Sequence, residues 1–157
     1  MTPADFPRFV PTTDVDGRVP LFVDTNAIVA HQYERASRHE EIRPVIQAIG
    51  TNDLPYYPLV TNQYVLDEVV SLLLSHAGAR IAHQVLERIL ETDTFRVLDV
   101  EPSLADRAIE QFRAYDDQSI SLTDHLIGVQ ARDYEIDHIL TYDDGFQTLG
   151  FTALPHE

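Results

Sequence analysis

The stretch Leu21-Phe22-Val23-Asp24-Thr25-Asn26 decides the fold. Its first three residues are apolar without alternation, which is typical of a strand buried on both faces, and the polar residues after them end the strand abruptly. Such strands belong to parallel sheets, in which sites form beyond the carboxyl ends of the strands. We therefore expect a site role for Asp24, and the alternative is an N-cap of the following helix.

Outward from this strand, helical and strand patterns alternate. This alternation predicts one α/β domain over 21–157, with a mainly parallel sheet and helices on both faces, preceded by an extended N-terminal arm over 1–20 that holds four of the nine prolines. Residues 51–58 have a turn-rich composition. The patterns predict helices over about 27–33, 39–50, 62–76, 104–115 and 122–134 and another after Gly78, and strands over 95–100, 139–141 and 151–154.

The charge balance is strongly acidic. The 157 residues include 26 acidic and 11 basic ones, the net charge is −15, and every basic residue is an arginine. Because the Debye length falls to about 3 Å near 1 M salt, a salt-rich cytoplasm such as that of a halophilic archaeon explains this composition, and binding of basic partners is the alternative. High salt also weakens the attraction between basic patches and nucleic acid, so the lack of such patches says little about a nucleic-acid substrate.

Two missing residue types exclude several classes of protein. The chain has no cysteine, which excludes disulfides, thiolate nucleophiles and cysteine-ligated metals. It has no lysine, which excludes a phosphatase of the haloacid dehalogenase type and a phosphate-loop nucleotidase and argues against a receiver domain. The histidines show no spacing typical of zinc ligands. No apolar stretch is long enough to span a bilayer, so we expect a cytoplasmic protein that contacts no membrane.

Three further acids stand out by position. Glu68 lies within a predicted helix along the edge of its apolar stripe, where it needs a cation or an arginine partner. Asp124 follows Ser121 in a pattern that a capping box explains equally well. Asp143 follows a predicted buried strand, although Asp143-Asp144-Gly145 is also a typical turn. Acids gathered at one sheet edge repel each other unless divalent cations lie among them, and carboxylate oxygens suit Mg²⁺ or Mn²⁺.

Four segments together resemble the PIN-domain family, in the order of that family. They are Leu21 to Asn26, Glu68 within a helix, Ser121-Leu122-Thr123-Asp124, and Thr141-Tyr142-Asp143-Asp144-Gly145-Phe146. The resemblance runs from about Leu21 to Leu154. It implies a three-layer α/β/α sandwich and Mg²⁺- or Mn²⁺-dependent cleavage of RNA.

The same resemblance implies roles for individual residues. It makes Asp24, Glu68, Asp124 and Asp143 the catalytic and metal-binding acids. The supporting residues that it implies are Asn26, Thr141 and Asp117. The sequence is most similar to the toxin subunits of toxin-antitoxin pairs, so an antitoxin partner and a homodimer are expected. A PIN-like scaffold that binds RNA or protein without cleavage, and a stand-alone RNA-processing nuclease, remain alternatives.

Overall fold

A computed structural model describes residues 17–155. This part of the chain forms five strands and seven helices. In chain order they are β1 (Val19–Val23), α1 (Thr25–Gln32), α2 (His39–Gly50), β2 (Tyr56–Asn62), α3 (Gln63–His76), α4 (Ala79–Glu91), β3 (Phe95–Leu98), α5 (Pro102–Ala114), α6 (Leu122–Asp133), β4 (His138–Leu140), α7 (Gly145–Thr148) and β5 (Thr152–Leu154).

The five strands form one parallel sheet in the order β3-β2-β1-β4-β5. The chain moves from β1 towards one edge and returns from β3 towards the other. Because crossovers between parallel strands are right-handed, α1 to α4 cover one face of the sheet and α5 to α7 the other. This is the predicted α/β/α sandwich, and the predicted fold class is confirmed.

Strand β1 lies at the centre of the sheet and of the core. Leu21 and Phe22 are fully buried between the two helical layers, as their unalternating pattern predicts. On the first layer, α3 packs Val65, Val69 and Leu73 against the sheet at a spacing of four residues.

Strand β2 is missing from the sequence-based prediction, which gave residues 51–58 a turn-rich character and a helix cap at their end. The prediction is wrong here because proline lacks the N–H of a sheet ladder and therefore argues against an interior strand. The structure accommodates Pro58 where the pairing between β1 and β2 shifts register, between Val19 and Leu21.

Two helices begin after polar residues that suit an N-cap. Asn62 caps α3 by accepting the N–H of Val65, and Ser121 caps α6 by accepting the N–H of Asp124. Gly78 separates α3 from α4 with a φ of 91°, which favours glycine.

The predicted arm over 1–20 lies mostly outside the described residues. Strand β1 begins at Val19, two residues earlier than the predicted domain boundary. Among residues 17–155, no helix combines the length and the apolar character needed to cross a membrane.

Candidate active site

The candidate site lies at the edge of the sheet where β1 and β4 end. Asp24 directly follows β1, and its backbone N–H continues the ladder to the carbonyl of Leu140 at 3.0 Å. Asp143 lies three residues beyond the end of β4. Asp124 comes from the first turn of α6, in the second helical layer. Adjacent parallel strands thus bring two acids together, and a helix adds the third.

Asp24, Asp124 and Asp143 each offer a carboxylate oxygen within 4.8 Å of the other two. Asp24 and Asp124 are 4% and 5% exposed, so neither is a solvated surface acid. None of the ion pairs within residues 17–155 involves any of the three. The site therefore gathers like charges without an arginine to compensate them. We call these residues the acidic triad.

Hydrogen bonds fix the orientation of two triad members. The two carboxylate oxygens of Asp24 accept the N–H of Thr25 at 2.7 Å and the hydroxyl of Thr141 at 2.8 Å. The same hydroxyl oxygen accepts the N–H of Asp143 at 3.0 Å. Asp143 in turn accepts the N–H of Gly145 at 3.0 Å. Thr141 thus links Asp24 to Asp143.

Burial raises the pKa of two triad acids. It raises the pKa of Asp24 to about 6, against the hydrogen bonds from Thr141 and Thr25, and the charge of Asp143 adds to the increase. Burial is also the main reason that the pKa of Asp124 rises to about 8, followed by its hydrogen bond with Asp143 and the charge of Asp24. Without a cation, the triad therefore holds protons near neutral pH.

Glu68 lies outside this group. The sequence placed it along the edge of the apolar stripe of α3, but the structure has it exposed. It precedes buried Val69 by one residue, which turns its side chain about 100° away from the stripe. Its charge still raises the pKa of Asp24, so Glu68 lies at the rim of the site.

Of the three predicted supporting residues, two lie next to the acidic triad and one does not. Thr141 is buried and bonded to Asp24, and Asn26 accepts the N–H of Tyr142 at 3.1 Å through its side-chain oxygen. Both lie next to the acidic triad. Asp117 is exposed in the turn after α5 and is not among the acids that converge.

The sequence also allowed capping or turn roles for these acids, and the structure shows such roles together with the acidic triad. Asp24 is the N-cap of α1, and the residues after Asp143 form a turn that leads into α7. Ser121 caps α6 at Asp124. Capping uses one lone pair of a carboxylate oxygen and leaves others for a further ligand.

A neutral polar network, which we did not predict, lies at the other half of this sheet edge. Gln130 of α6 is fully buried, accepts from the side chain of Asn62 at 3.0 Å and donates to the carbonyl of Asp99 at 2.9 Å. It thereby fastens α6 to the ends of β2 and β3. The sequence signal was a glutamine within an otherwise apolar stretch of α6.

Two cavities meet at Tyr142, Asp143 and Asp144. One, of about 200 Å³, extends towards Arg38 and Glu41, and the other, of about 510 Å³, extends towards Gln118 and Ser119. The sequence did not identify Arg38, Glu41 or Tyr142, since an arginine before an amphipathic helix has the appearance of ordinary surface charge.

The donor set fits a hard divalent cation. Three carboxylates on ordered backbone supply only oxygen ligands, which Mg²⁺ and Mn²⁺ prefer. The raised pKa values of Asp24 and Asp124 favour protonation of these acids without a cation, and a divalent cation would replace those protons. Residues Asp24, Asp124 and Asp143 could therefore hold such an ion.

Comparison with known proteins gives one family and several related structures. The PIN domain model matches residues 21–152. A crystal structure of VapC20 from Mycobacterium tuberculosis, a toxin that cleaves the sarcin-ricin loop, is 25% identical with a TM-score of 0.75, over 84% of this chain and 96% of that one. No curated protein matches the sequence.

Two more distant structures share the fold. FitAcB from Neisseria gonorrhoeae is 14% identical with a TM-score of 0.60, over 85% of this chain and 95% of that one. VapBC2 from Rickettsia felis, bound to a DNA fragment from its promoter, is 14% identical with a TM-score of 0.59, over 86% of this chain and 97% of that one.

Proposed function

The chain belongs to the PIN-domain family, and on that premise we propose that it is a ribonuclease that hydrolyses RNA phosphodiester bonds at Asp24, Asp124 and Asp143 with Mg²⁺ or Mn²⁺. One observation carries this proposal. Three acids remote in the sequence converge within 4.8 Å, two of them buried, and none of them takes part in an ion pair within the described residues. Such a group is stable in its charged form only with a cation.

Each residue of the site has a separate task in this proposal. Asp24 and Asp124 are the direct ligands, and Asp143 completes the set. Thr141 holds the carboxylate of Asp24 in place, and the N–H of Gly145 does the same for Asp143. Glu68, at the rim, adds negative charge that strengthens cation binding. When bound, the divalent cation polarises the phosphate and lowers the pKa of the attacking water.

The triad must lose its protons before it can bind a cation. The proton on Asp124 is the last to leave, because the pKa of Asp124 is the higher of the two values raised by burial. Cation binding and cleavage therefore increase as the pH rises towards about 8.

We further propose that the chain is the toxin of a toxin-antitoxin pair. The related VapC20 is a toxin that cleaves the sarcin-ricin loop, and VapBC2 binds a DNA fragment from its promoter, which supports an antitoxin partner here. We propose that exposed apolar residues, on α3 at one face of the sheet and on α5 and α6 at the other, contact the antitoxin or a second copy of the chain. They are Tyr64, Leu72, Leu74, Ile109, Phe112 and Leu122.

The acidic composition bears on where this enzyme works. A net charge of −15 with arginine as the sole basic side chain supports a cytoplasm rich in salt. We propose that setting, and assays accordingly need high salt.

Cleavage of a mixed RNA pool in high salt tests the ribonuclease function. We expect cleavage with Mg²⁺ or Mn²⁺, none with chelator, and none with Asp124→Asn at an unchanged circular dichroism spectrum. Asp67→Asn, an exposed acid on α3, is the matched control and stays active. Equal cleavage in chelator contradicts the metal mechanism, and specific metal uptake without cleavage supports a binding scaffold instead.

A further inference from the structure

An arginine lines a cavity together with Asp143, and an aromatic ring holds it in place. Arg38 precedes α2, and its guanidinium carbon lies 4.3 Å from the centre of the Tyr142 ring. Arg38, Tyr142 and Asp143 line the same cavity of about 200 Å³. Contact with an aromatic face orients a guanidinium group and leaves the N–H donors at its edge available.

Glu41 is a weak competitor for this guanidinium group. Its carboxylate oxygens lie 3.4 and 3.5 Å from Nη1 of Arg38, and the two side chains are 57% and 50% exposed. Exposed pairs with such long contacts contribute little to stability. A guanidinium group carries five N–H donors, so most of them can bind another ligand.

Arg38 is the group at this site with which an anionic ligand can pair, although the acids Glu41, Asp143 and Asp144 line the same cavity. Among residues 17–155, it is the single cationic side chain that lines either of the two cavities meeting at Asp143. The larger cavity offers neutral polar groups, including Gln118 and Ser119. In a chain of net charge −15, a polyanionic strand therefore meets one fixed positive charge at this site.

We propose that Arg38, oriented by Tyr142, binds an RNA phosphate next to the one that is cleaved, so that the strand runs from Arg38 across Asp143 towards Gln118 and Ser119. The inference rests on the proposed ribonuclease function. Arg38 is here a positioning residue. It sets the register of the strand over the acidic triad, because phosphate contacts fix position without reading sequence.

The chain offers a closely matched control in Arg43. It lies on α2, pairs with Glu40 at 3.4 Å with the same three-residue spacing as Arg38 and Glu41, and is also 50% exposed. It lines neither of the two cavities. Arg38 and Arg43 therefore differ in their position relative to Tyr142 and Asp143.

Steady-state cleavage of a single-stranded RNA oligonucleotide in Mn²⁺, measured over a series of salt concentrations, tests the inference. Arg38→Gln should raise KM about tenfold, as expected for a lost hydrogen bond between charged groups, with kcat within about twofold. The slope of log kcat/KM against log salt should become shallower by about 0.7, the value for one phosphate contact. Arg43→Gln should change neither quantity.

Three further variants guard against loss of folding as the explanation. Arg38→Lys retains the charge and should restore the salt slope. Glu41→Gln frees Arg38 and should lower KM, whereas Glu40→Gln should not. If the wild-type chain cleaves RNA but Arg38→Gln matches Arg43→Gln, or lowers kcat alone, the Arg38 inference is wrong and the ribonuclease stands. If the wild-type chain cleaves no RNA, both proposals fall.

Discussion

At the ends of β2 and β3, the buried side chains of Asn62 and Gln130 are neutral and bonded to each other, whereas at the ends of β1 and β4 the buried acids Asp24 and Asp124 repel each other. Asn62 and Gln130 satisfy one another and the carbonyl of Asp99. Asp24 and Asp124 have raised pKa values instead. Helix α6 contributes to both halves, so the difference lies in side-chain chemistry and not in the scaffold.

The comparison shows how to separate structural from functional polarity at one sheet edge. A buried polar group whose hydrogen bonds are complete stabilises the fold by itself. Buried acids in mutual contact lower stability until a cation binds. Changes in the neutral half should therefore affect stability, and changes in the acidic half should affect catalysis.

The largest expected effect is on catalysis in the acidic half. Asp24→Asn removes a ligand while it keeps the size of the side chain. Cleavage of RNA should fall by more than about 100-fold, because even the partners that orient metal ligands are worth 10- to 100-fold. Initial rates at saturating Mn²⁺ measure this. A loss of less than about threefold would place Asp24 outside the catalytic set.

A change in the neutral half of the sheet edge, formed by Asn62 and Gln130, should lower the stability of the fold. Gln130→Ala leaves the side chain of Asn62 without its partner in a fully buried site. An unsatisfied buried polar group costs about 1 to 3 kcal/mol, so the free energy of unfolding should fall by that amount. Denaturant titration measures it. Mn²⁺ should stabilise this variant as much as it stabilises the wild-type chain. If Mn²⁺ no longer stabilised the variant, the neutral half and the acidic half would depend on each other.

The pH dependence of the free energy of unfolding, measured on the metal-free chain, should also distinguish the two halves. The folded pKa values of Asp24 and Asp124, about 6 and about 8, lie above the ordinary value of 3.8. Between about pH 4 and pH 8 the folded chain therefore binds more protons than the unfolded chain, and the free energy of unfolding falls as the pH rises. Asp124→Asn should flatten this decrease, whereas Asp67→Asn should not.

Thermal unfolding in chelator and high salt measures this effect. The difference in Tm between pH 5 and pH 8 should shrink by a few degrees in Asp124→Asn, since 1 kcal/mol corresponds to about 2 to 4 °C at this chain length. An identical pH profile in the wild-type chain and Asp124→Asn would contradict the raised pKa of Asp124.

The smallest effect is expected at the rim. Glu68 is exposed and acts on Asp24 through its charge alone, so Glu68→Gln should weaken Mn²⁺ binding by about tenfold or less. Asp67→Asn, on the same helix, should leave the affinity unchanged. The concentration of Mn²⁺ at half-maximal cleavage measures both. A loss as large as that of Asp24→Asn would make Glu68 a direct ligand.

The sequence predicted the acids that follow buried strands better than any other part of the site. Asp24 and Asp143 stand at points where an apolar run stops, and the direction of a parallel sheet brings such points together. Asp124 was not distinguishable from a capping residue by pattern alone, and its place in the triad was implied by family resemblance. The small and apolar residues that share its face of α6 indicate a buried first turn, and the structure has Asp124 and these neighbours buried.

The remaining differences arise from tertiary contacts that local patterns do not encode. Strand β2 was missed because Pro58 lies at a register shift that only the pairing with β1 reveals. Glu68 was assigned to the edge of the apolar stripe, and a turn of one residue around α3 exposes it. Arg38 contacts Tyr142, which is remote in the sequence, and the local sequence around either residue does not indicate this contact.

Calorimetric titration of the metal-free chain with Mn²⁺ at pH 8 in high salt tests the central claim most directly. The convergent acids predict saturable uptake, with release of the proton that Asp124 still partly holds at this pH, and loss of that uptake in Asp124→Asn but not in Asp67→Asn. The absence of saturable heat in the wild-type chain, or equal uptake by Asp124→Asn, would contradict it.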